Sequence, residues 1–241
     1  TPPEPFTTRY KDDLYSGEVA YADAQLGLLF SALEKRQLTD KTLVILTGDH
    51  AESLGDHGEE YHGYFAYNAT LWVPLIISSP GFKATRVKDY VSHVDIFPTV
   101  CDMLGLEKPA SLQGESLVPL LRGRTRPAKP IYFEAMEANL NRGWAPLRGV
   151  IENGKKYIDS PIPELYDLTN DFGEGKNLAA ASNIPPYKKR LQEVMKLGAA
   201  PLAERSGRQT TDRETLERLR SLGYAASRVA QLKSSYGPED D

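Results

Sequence analysis

Residues 47–63 read TGDHAESLGDHGEEYHG and gather three of the chain's four histidines, five acidic side chains and four glycines. Imidazoles and carboxylates ligate divalent cations and carry protons near neutral pH. Asp49 and His50 follow directly on TLVILTG, whose apolar run TLVIL spans residues 42–46. In open α/β sheets, ligands bind beyond the carboxyl ends of strands, and Gly48 lets the backbone turn there. A carboxylate beside an imidazole at such a turn suits one divalent cation with mixed oxygen and nitrogen ligation. The spacing alone leaves an alternative open, in which Asp49 caps a helix and His50 lies on the surface.

A second group follows in Asp56, His57, Glu59, Glu60 and His62. Glu59 and Glu60 read as solvated. His62 opens the aromatic stretch HGYFAYNATLWVP, residues 62–74. It is either a ring laid over a pocket beside the cation or the polar tip of a packed loop. His93 precedes an apolar helix, where a histidine caps or packs. Asn68-Ala69-Thr70 has the pattern of a glycosylation acceptor, but it falls inside the pocket segment and reads as coincidence.

The elements that must position these groups follow from periodicity. Residues 1–9 read as a proline-rich linker. Leu14, Val19, Ala22, Leu26, Leu29, Phe30 and Leu33 recur at helical steps and predict a helix over 10–36. TLVIL and VPLIISSPG, 73–81, are continuous apolar runs of the kind buried on both faces of a parallel sheet. VSHVDIFPTVCDMLGL predicts a helix capped by Ser92 or Asp95, with Pro98 in its first turn and Gly105 past its end. Residues 130–168 carry strand-like segments with a hairpin turn at ENGK, 152–155. A short helix is expected over 185–197, a loop over 198–210, a second helix capped by Asp212, and a disordered tail.

The chain has 241 residues and a net charge of −4, enough for a sizeable core. No basic stripe interleaved with aromatics is present, so nucleic acid is not an expected partner. No apolar run approaches the roughly 20 residues of a membrane span, and no signal peptide is apparent. The chain begins TPPEPFTTRYKDD, without methionine, and is expected to be a piece of something longer. A single cysteine, Cys101, excludes an internal disulfide and reads as core.

The stretch DKTLVILTGDHAESLGDHGEEYHGYFAYNATLWVPLIISSPG resembles the C-terminal part of the sulfatase catalytic domain, in the alkaline phosphatase superfamily. The resemblance continues through VSHVDIFPTVCDMLGL, LQGESLVPLLRG and YIDSPIPELYDLTNDFGEGKNLA, over roughly residues 10–195. It implies an α/β fold: a central, mostly parallel sheet flanked by helices, truncated at the N-terminus, with a small C-terminal α+β subdomain. The boundaries expected are 1–125 for the part of the catalytic domain, 126–198 for the subdomain, and 199–241 for a helical extension and tail.

The resemblance also implies chemistry. The family's nucleophile motif, Cys or Ser-x-Pro-x-Arg, is absent from this chain, as is the N-terminal pair of acidic metal ligands. The formylglycine made from that Cys or Ser is therefore expected in a missing N-terminal half, which would be this chain's partner. Asp49 and His50 would contribute to one divalent cation. Many sulfatases have Asn in place of His50 and bind calcium, whereas Asp-His occurs in phosphonate and phosphate ester hydrolases and phosphotransferases that use manganese or zinc. His62 stands where the family places a histidine or lysine near the substrate, and His57 is a weaker candidate for similar work. If so, the His62 ring should lie roughly 5 to 9 Å from Asp49 and His50, leaving room for an oxyanion. The expected substrate is an anionic sulfate ester. A phosphoester or phosphonate substrate, and a non-catalytic binding role, are the alternatives. By the same resemblance the protein is extracytoplasmic, and an open sheet edge would favour homo-oligomers.

Overall fold

The computed structural model describes residues 1–203, 233 and 235–240. The chain divides into two compact units, Thr1–Thr47 with Leu75–Lys83, and Gly48–Pro74 with Ala84–Asp241.

In the first unit a short helix α1 (Phe6–Arg9) stands where the sequence suggests a linker, and the Phe6 ring meets Tyr21 edge-on at 5.6 Å. Helix α2 (Leu14–Lys35) follows. Its N-cap is Asp13, whose carboxylate accepts from the Ser16 amide at 3.0 Å and the Ser16 hydroxyl at 2.6 Å. These bonds lower the Asp13 pKa, the hydroxyl contributing most. Several large apolar side chains of α2 stand open, Leu28 at 65% and Leu29 at 54% exposure.

Strands β1 (Val44–Thr47) and β2 (Leu75–Ser78) form where the apolar runs predict them. They pair antiparallel, from Val44 opposite Ser78 to Thr47 opposite Leu75. The α/β class therefore holds, but these two strands do not run parallel to one another. A continuous apolar run reports burial on both faces and carries no information on strand direction. Among the described residues, every paired strand is antiparallel.

The second unit holds helices α3 (Asn68–Leu71), α4 (Ile96–Leu104), α5 (Val118–Leu121), α6 (Glu137–Arg142) and α7 (Pro185–Ala203). Its sheet has strands β3 (Ile131–Ala135), β4 (Leu147–Glu152), β5 (Lys155–Asp159) and β6 (Glu164–Asp167), in that order and all antiparallel. The ENGK turn joins β4 to β5 with Asn153 at φ 53° and Gly154 at φ 73°, the pair of positive angles a tight hairpin needs. A β-carbon at Gly154 would come within 2.5 Å of Thr169 Oγ1, so only glycine fits.

Alternation along the strands gives the sheet two cores. Phe133, Ile151, Ile158 and Tyr166 point to one side, where Ala66, Tyr67 and Leu71 cover them. Val150, Tyr157 and Leu165 point to the other, where Leu191, Tyr187, Val194 and Met195 of α7 close over them. Leu191 is 1% exposed, and burying such a side chain contributes roughly 1.5–3 kcal/mol. Helix α4 starts behind a capping box between Ser92 and Asp95 and ends at Gly105, φ 66°, as its sequence predicts. Asp95 also binds Arg126 at 2.8 Å.

Helix α7 runs to Ala203, past the expected start of a loop at 198. The helix expected behind Asp212 lies outside the described residues. In the tail, read as disordered, Pro238–Asp240 form a 3-10 turn, and the Tyr236 hydroxyl lies 2.9 Å from Asn139 Nδ2. Among the described residues no helix is long and apolar enough to cross a membrane.

One charged pair sits inside this unit. Lys156 is on the inward face of β5 at 0% exposure, and its Nζ lies 2.5 Å from Glu174 Oε1. Burial lowers the Lys156 pKa, and the Glu174 carboxylate partly offsets that. The same carboxylate accepts from the Asn68 amide at 2.5 Å through Oε2, and so reaches the start of α3. Phe133 and Tyr67 present ring faces to the ammonium at 5.1 and 5.8 Å. Removing one member of such a pair strands a charge in the interior. Lys156→Met and Glu174→Gln should each cost about 3–5 kcal/mol in urea unfolding. The double variant should lose less than the sum of the two; strictly additive losses would mean the groups do not act as a pair.

Candidate metal and oxyanion site

The chain leaves β1 at Thr47 and turns at Gly48, where a β-carbon would press to 3.1 Å on the His50 carbonyl oxygen. The Gly48 carbonyl lies 2.8 Å from His93 Nε2, so His93 packs against the turn, as its position suggests. The loop then folds back on itself. The Ala51 amide donates to the Thr70 carbonyl at 2.8 Å, and the Ser53 amide donates to the Tyr61 carbonyl at 2.7 Å. Pairing 53 with 61 sets their neighbours Glu52 and His62 opposite each other. His62 Nδ1 is accordingly 2.8 Å from Glu52 Oε1.

Asp49 and His50 stand beside this pair. The Asp49 side chain is 92% exposed. Its Oδ1 accepts from the His50 amide at 3.0 Å, and that bond is the leading cause of its lowered pKa. Asp49 thus stays a carboxylate well into acid. His50 Nδ1 lies 3.1 Å from the Ala51 carbonyl oxygen, which can only accept, so Nδ1 donates there and Nε2 is the ring nitrogen left to a ligand. Nε2 faces Asp49 Oδ2 at 3.8 Å. Ligand bonds of about 2.1 Å let one cation bridge an oxygen and a nitrogen at this separation. A ring nitrogen fixed by a hydrogen bond to its other nitrogen is the usual state of a ligating histidine. The two groups therefore fit one cation but do not complete its shell. Among the described residues no group of three or more His, Cys, Asp or Glu could hold a metal ion.

The His50 and His62 rings lie 3.9 Å apart between centroids, at 33° to each other. This is closer than the 5 to 9 Å expected from the sequence, and no oxyanion fits between the rings. The Ser53–Tyr61 pairing draws the two legs of the loop together and lays one ring on the other. An anion approaching His62 would meet the ring edge at Nε2, since Nδ1 is held by Glu52.

His57 is placed differently. It takes φ 50° and ψ 22° behind Gly55, its Nδ1 bonds to Asp56, and its Nε2 lies 3.2 Å from the Glu174 carbonyl oxygen. The ring stacks on Tyr67 at 3.7 Å and 14°. With an acceptor at each nitrogen and an aromatic face beneath it, His57 anchors the loop and is not joined to His50 and His62. Glu59 is also not solvated: it is 5% exposed and accepts from the Tyr64 amide at 2.8 Å. Glu60 is exposed, as expected. Asn68 is 6% exposed and donates to the Phe172 carbonyl at 3.0 Å, so the glycosylation pattern is buried structure. The sequence reading missed Glu52. Its signal was the loop's own symmetry, with Glu52 and His62 equidistant from the turn around Asp56–Gly58.

Comparison with known proteins covers most of the chain. Residues 2–106 match the family model described as sulfatase, and residues 55–199 match the one described as N-sulphoglucosamine sulphohydrolase, C-terminal. Arylsulfatase K of Homo sapiens is 35% identical over 179 residues, 68% of this chain and 33% of that protein. Arylsulfatase K of Bos taurus is 32% identical over 230 residues, 89% of this chain and 42% of that protein. The chain thus spans well under half the length of the curated relatives it matches. Among solved structures, a phosphonate monoester hydrolase of Agrobacterium radiobacter superposes with a TM-score of 0.63 at 31% identity, over 78% of this chain and 41% of that one. A structure described as in complex with its substrate D-glucosamine-2-N,6-O-disulfate gives a TM-score of 0.65 at 26% identity, over 82% and 42%.

The two histidine environments predict opposite responses. His50→Ala removes an exposed ring and should change stability by no more than about 0.5 kcal/mol. His57→Ala removes a stack and bonds at both nitrogens, and should cost about 1–3 kcal/mol. Paired urea titrations check this; equal costs would erase the distinction between an exposed and an anchoring histidine.

Proposed function

This chain belongs to the sulfatase family, in the alkaline phosphatase superfamily, and on that premise we propose that it carries part of the active site of a sulfuric ester hydrolase. The observation that supports this most is the exposed Asp49 carboxylate facing Nε2 of His50, with His62 held against the His50 ring by Glu52. A divalent cation bound there would supply charge to polarise a nonbridging oxygen of the ester. Asp49 gives it a hard oxygen and His50 a nitrogen, a mixture that favours manganese or zinc over calcium. The remaining ligands, and the formylglycine expected of the family, would come from outside this sequence. Cys101, the chain's single cysteine, is 3% exposed in α4 and is not a nucleophile.

The chain's own side chains have two further tasks. Glu52 fixes which nitrogen of His62 faces the substrate. His62, protonated, would donate from Nε2 to an ester oxygen, either binding the anion or assisting the departing alcohol. A negative net charge gives the protein no general attraction for anions, so this local donor matters. We place the protein outside the cytoplasm, in keeping with its family.

A second reading has one observation behind it. The Asp-His pair, with the likeness to a phosphonate monoester hydrolase, suits a phosphorus ester. Kinetics of the full-length protein separate the two. It should hydrolyse 4-nitrophenyl sulfate faster than 4-nitrophenyl phenylphosphonate. His62→Ala should lower kcat/KM by about 10²- to 10⁴-fold with metal content unchanged, whereas Asp49→Ala should lose both metal and turnover. A preference for the phosphonate would overturn the sulfate reading. Loss of metal in His62→Ala would make that ring a ligand.

A further inference from the structure

The two contacts of His57 need two protons. Its Nδ1 bonds to the Asp56 carboxylate, and its Nε2 lies 3.2 Å from the Glu174 carbonyl oxygen. A carboxylate and a carbonyl oxygen only accept hydrogen bonds. A neutral imidazole carries one N–H and satisfies one of them, while its other nitrogen turns a lone pair on an oxygen. The imidazolium has an N–H at each nitrogen and satisfies both.

The groups packed around the ring suit the charged form. Asp56 comes from the ring's own turn. Tyr67, just before α3, lays its ring on His57 at 3.7 Å and 14°, and an aromatic face attracts a cation. Behind Tyr67 stand Lys156 of β5, 5.8 Å from the phenol ring, and Glu164 of β6, which accepts from the Tyr67 hydroxyl at 3.0 Å. Lys156 is matched by the Glu174 carboxylate, which leaves Asp56 as the charge in direct contact with the imidazole. The turn that His57 fastens is strained. Leu54 at φ 54° and His57 at φ 50° are positive angles on non-glycine residues, and such angles persist only where their surroundings hold them.

We propose that His57 is a pH-dependent latch on the loop that carries Asp49, His50 and His62: its imidazolium fastens the turn Asp56–Gly58 to Glu174, and loss of one ring proton releases it. The latch is complete in acid and is lost as the pH rises through the ordinary imidazole range, about pH 5 to 8. The deprotonated ring keeps one acceptor, the Asp56 carboxylate turns to water, and the strained turn loses a fastening. The bonds from the Ser53 amide to Tyr61 and from the Gly55 amide to Glu59, which close the loop, then open more often. The competing explanation is that a singly protonated His57 holds the turn through Glu174 alone, with Asp56 a bystander.

Amide hydrogen exchange in the full-length protein tests the latch, each rate taken relative to that of an unfolded chain at the same pH. Protection of the Ser53, Gly55 and Glu59 amides should fall about tenfold or more between about pH 5.5 and about pH 8, while the amides of β5 stay protected. Asp56→Asn supplies an amide that donates to Nδ1, so a neutral ring satisfies both contacts. Its loop should keep the acid level of protection at both pH values. His57→Gln carries no charge and should show the low level at both. Nitrogen-15 NMR of the wild type gives a readout that needs no variant: the second ring proton of His57 and the loop's protection should be lost over the same span of pH. Unchanged wild-type protection, a fall in Asp56→Asn equal to that of the wild type, or loss of the two signals at separate pH values would each overturn the proposal. Neither readout uses an ester, so the latch and the sulfate-ester reading stand or fall independently.

Discussion

An ammonium group with no access to water must find a carboxylate, and the second unit is organised around one that does. Lys156 and Glu174 meet at 2.5 Å with both side chains at 1% exposure or less. Glu174 is where the constraints converge. It takes φ 57°, a conformation that costs a non-glycine residue something, yet glycine could not supply the carboxylate. Its side chain binds Lys156 and the Asn68 amide, and its carbonyl oxygen receives His57. His57 stacks on Tyr67, and Tyr67 lies over Lys156. The contacts close into a circuit, each group held by two others.

The circuit explains why a glycine-rich loop can present a defined site. Residues 48–74 hold little regular structure besides α3, and several of their angles are positive. Left alone, such a segment would sample many shapes. The circuit pins its middle at His57 and its far end at Tyr67 and Asn68. The Ser53–Tyr61 and Ala51–Thr70 bonds then fix the legs. Asp49, His50 and His62 then stand exposed at the base of the loop. Buried polar groups thus set the geometry of exposed ones. Tyr67 shows the cost: burial, and then the Glu164 carboxylate that its hydroxyl contacts at 3.0 Å, push its pKa upward and keep it neutral.

Much of this was legible in the sequence, and the rest was hidden for physical reasons. Capping residues and turn chemistry act locally, so the Ser92–Asp95 cap, the Gly105 stop and the Asn153-Gly154 hairpin were all visible. Asp49 and His50 drew attention because a carboxylate and an imidazole after a strand are an unusual pair, and their role stays a proposal. Strand direction was not, since it depends on where the partner lies. Glu59 was misread as solvated because the loop is polar throughout, and the contacts of His57 could not be seen from its neighbours. Burial of a polar side chain is decided by partners distant in sequence, here Glu174 for His57, 117 residues away. Lys156 did leave a trace: on the alternation of β5 it shares a face with Ile158, and a lysine on a buried face requires a partner.

In the function proposed, Asp49 and His50, at the turn after β1, supply two ligands of a shell that needs more. The central claim is that these two atoms, and not His62, touch the cation. Crystals of the full-length protein grown with manganese test it through an anomalous difference map. The account predicts a single peak at about 2.0–2.2 Å from the Asp49 carboxylate and from His50 Nε2, with His62 Nε2 outside bonding distance. A peak bonded to His62, or one that avoids Asp49 and His50, would contradict it.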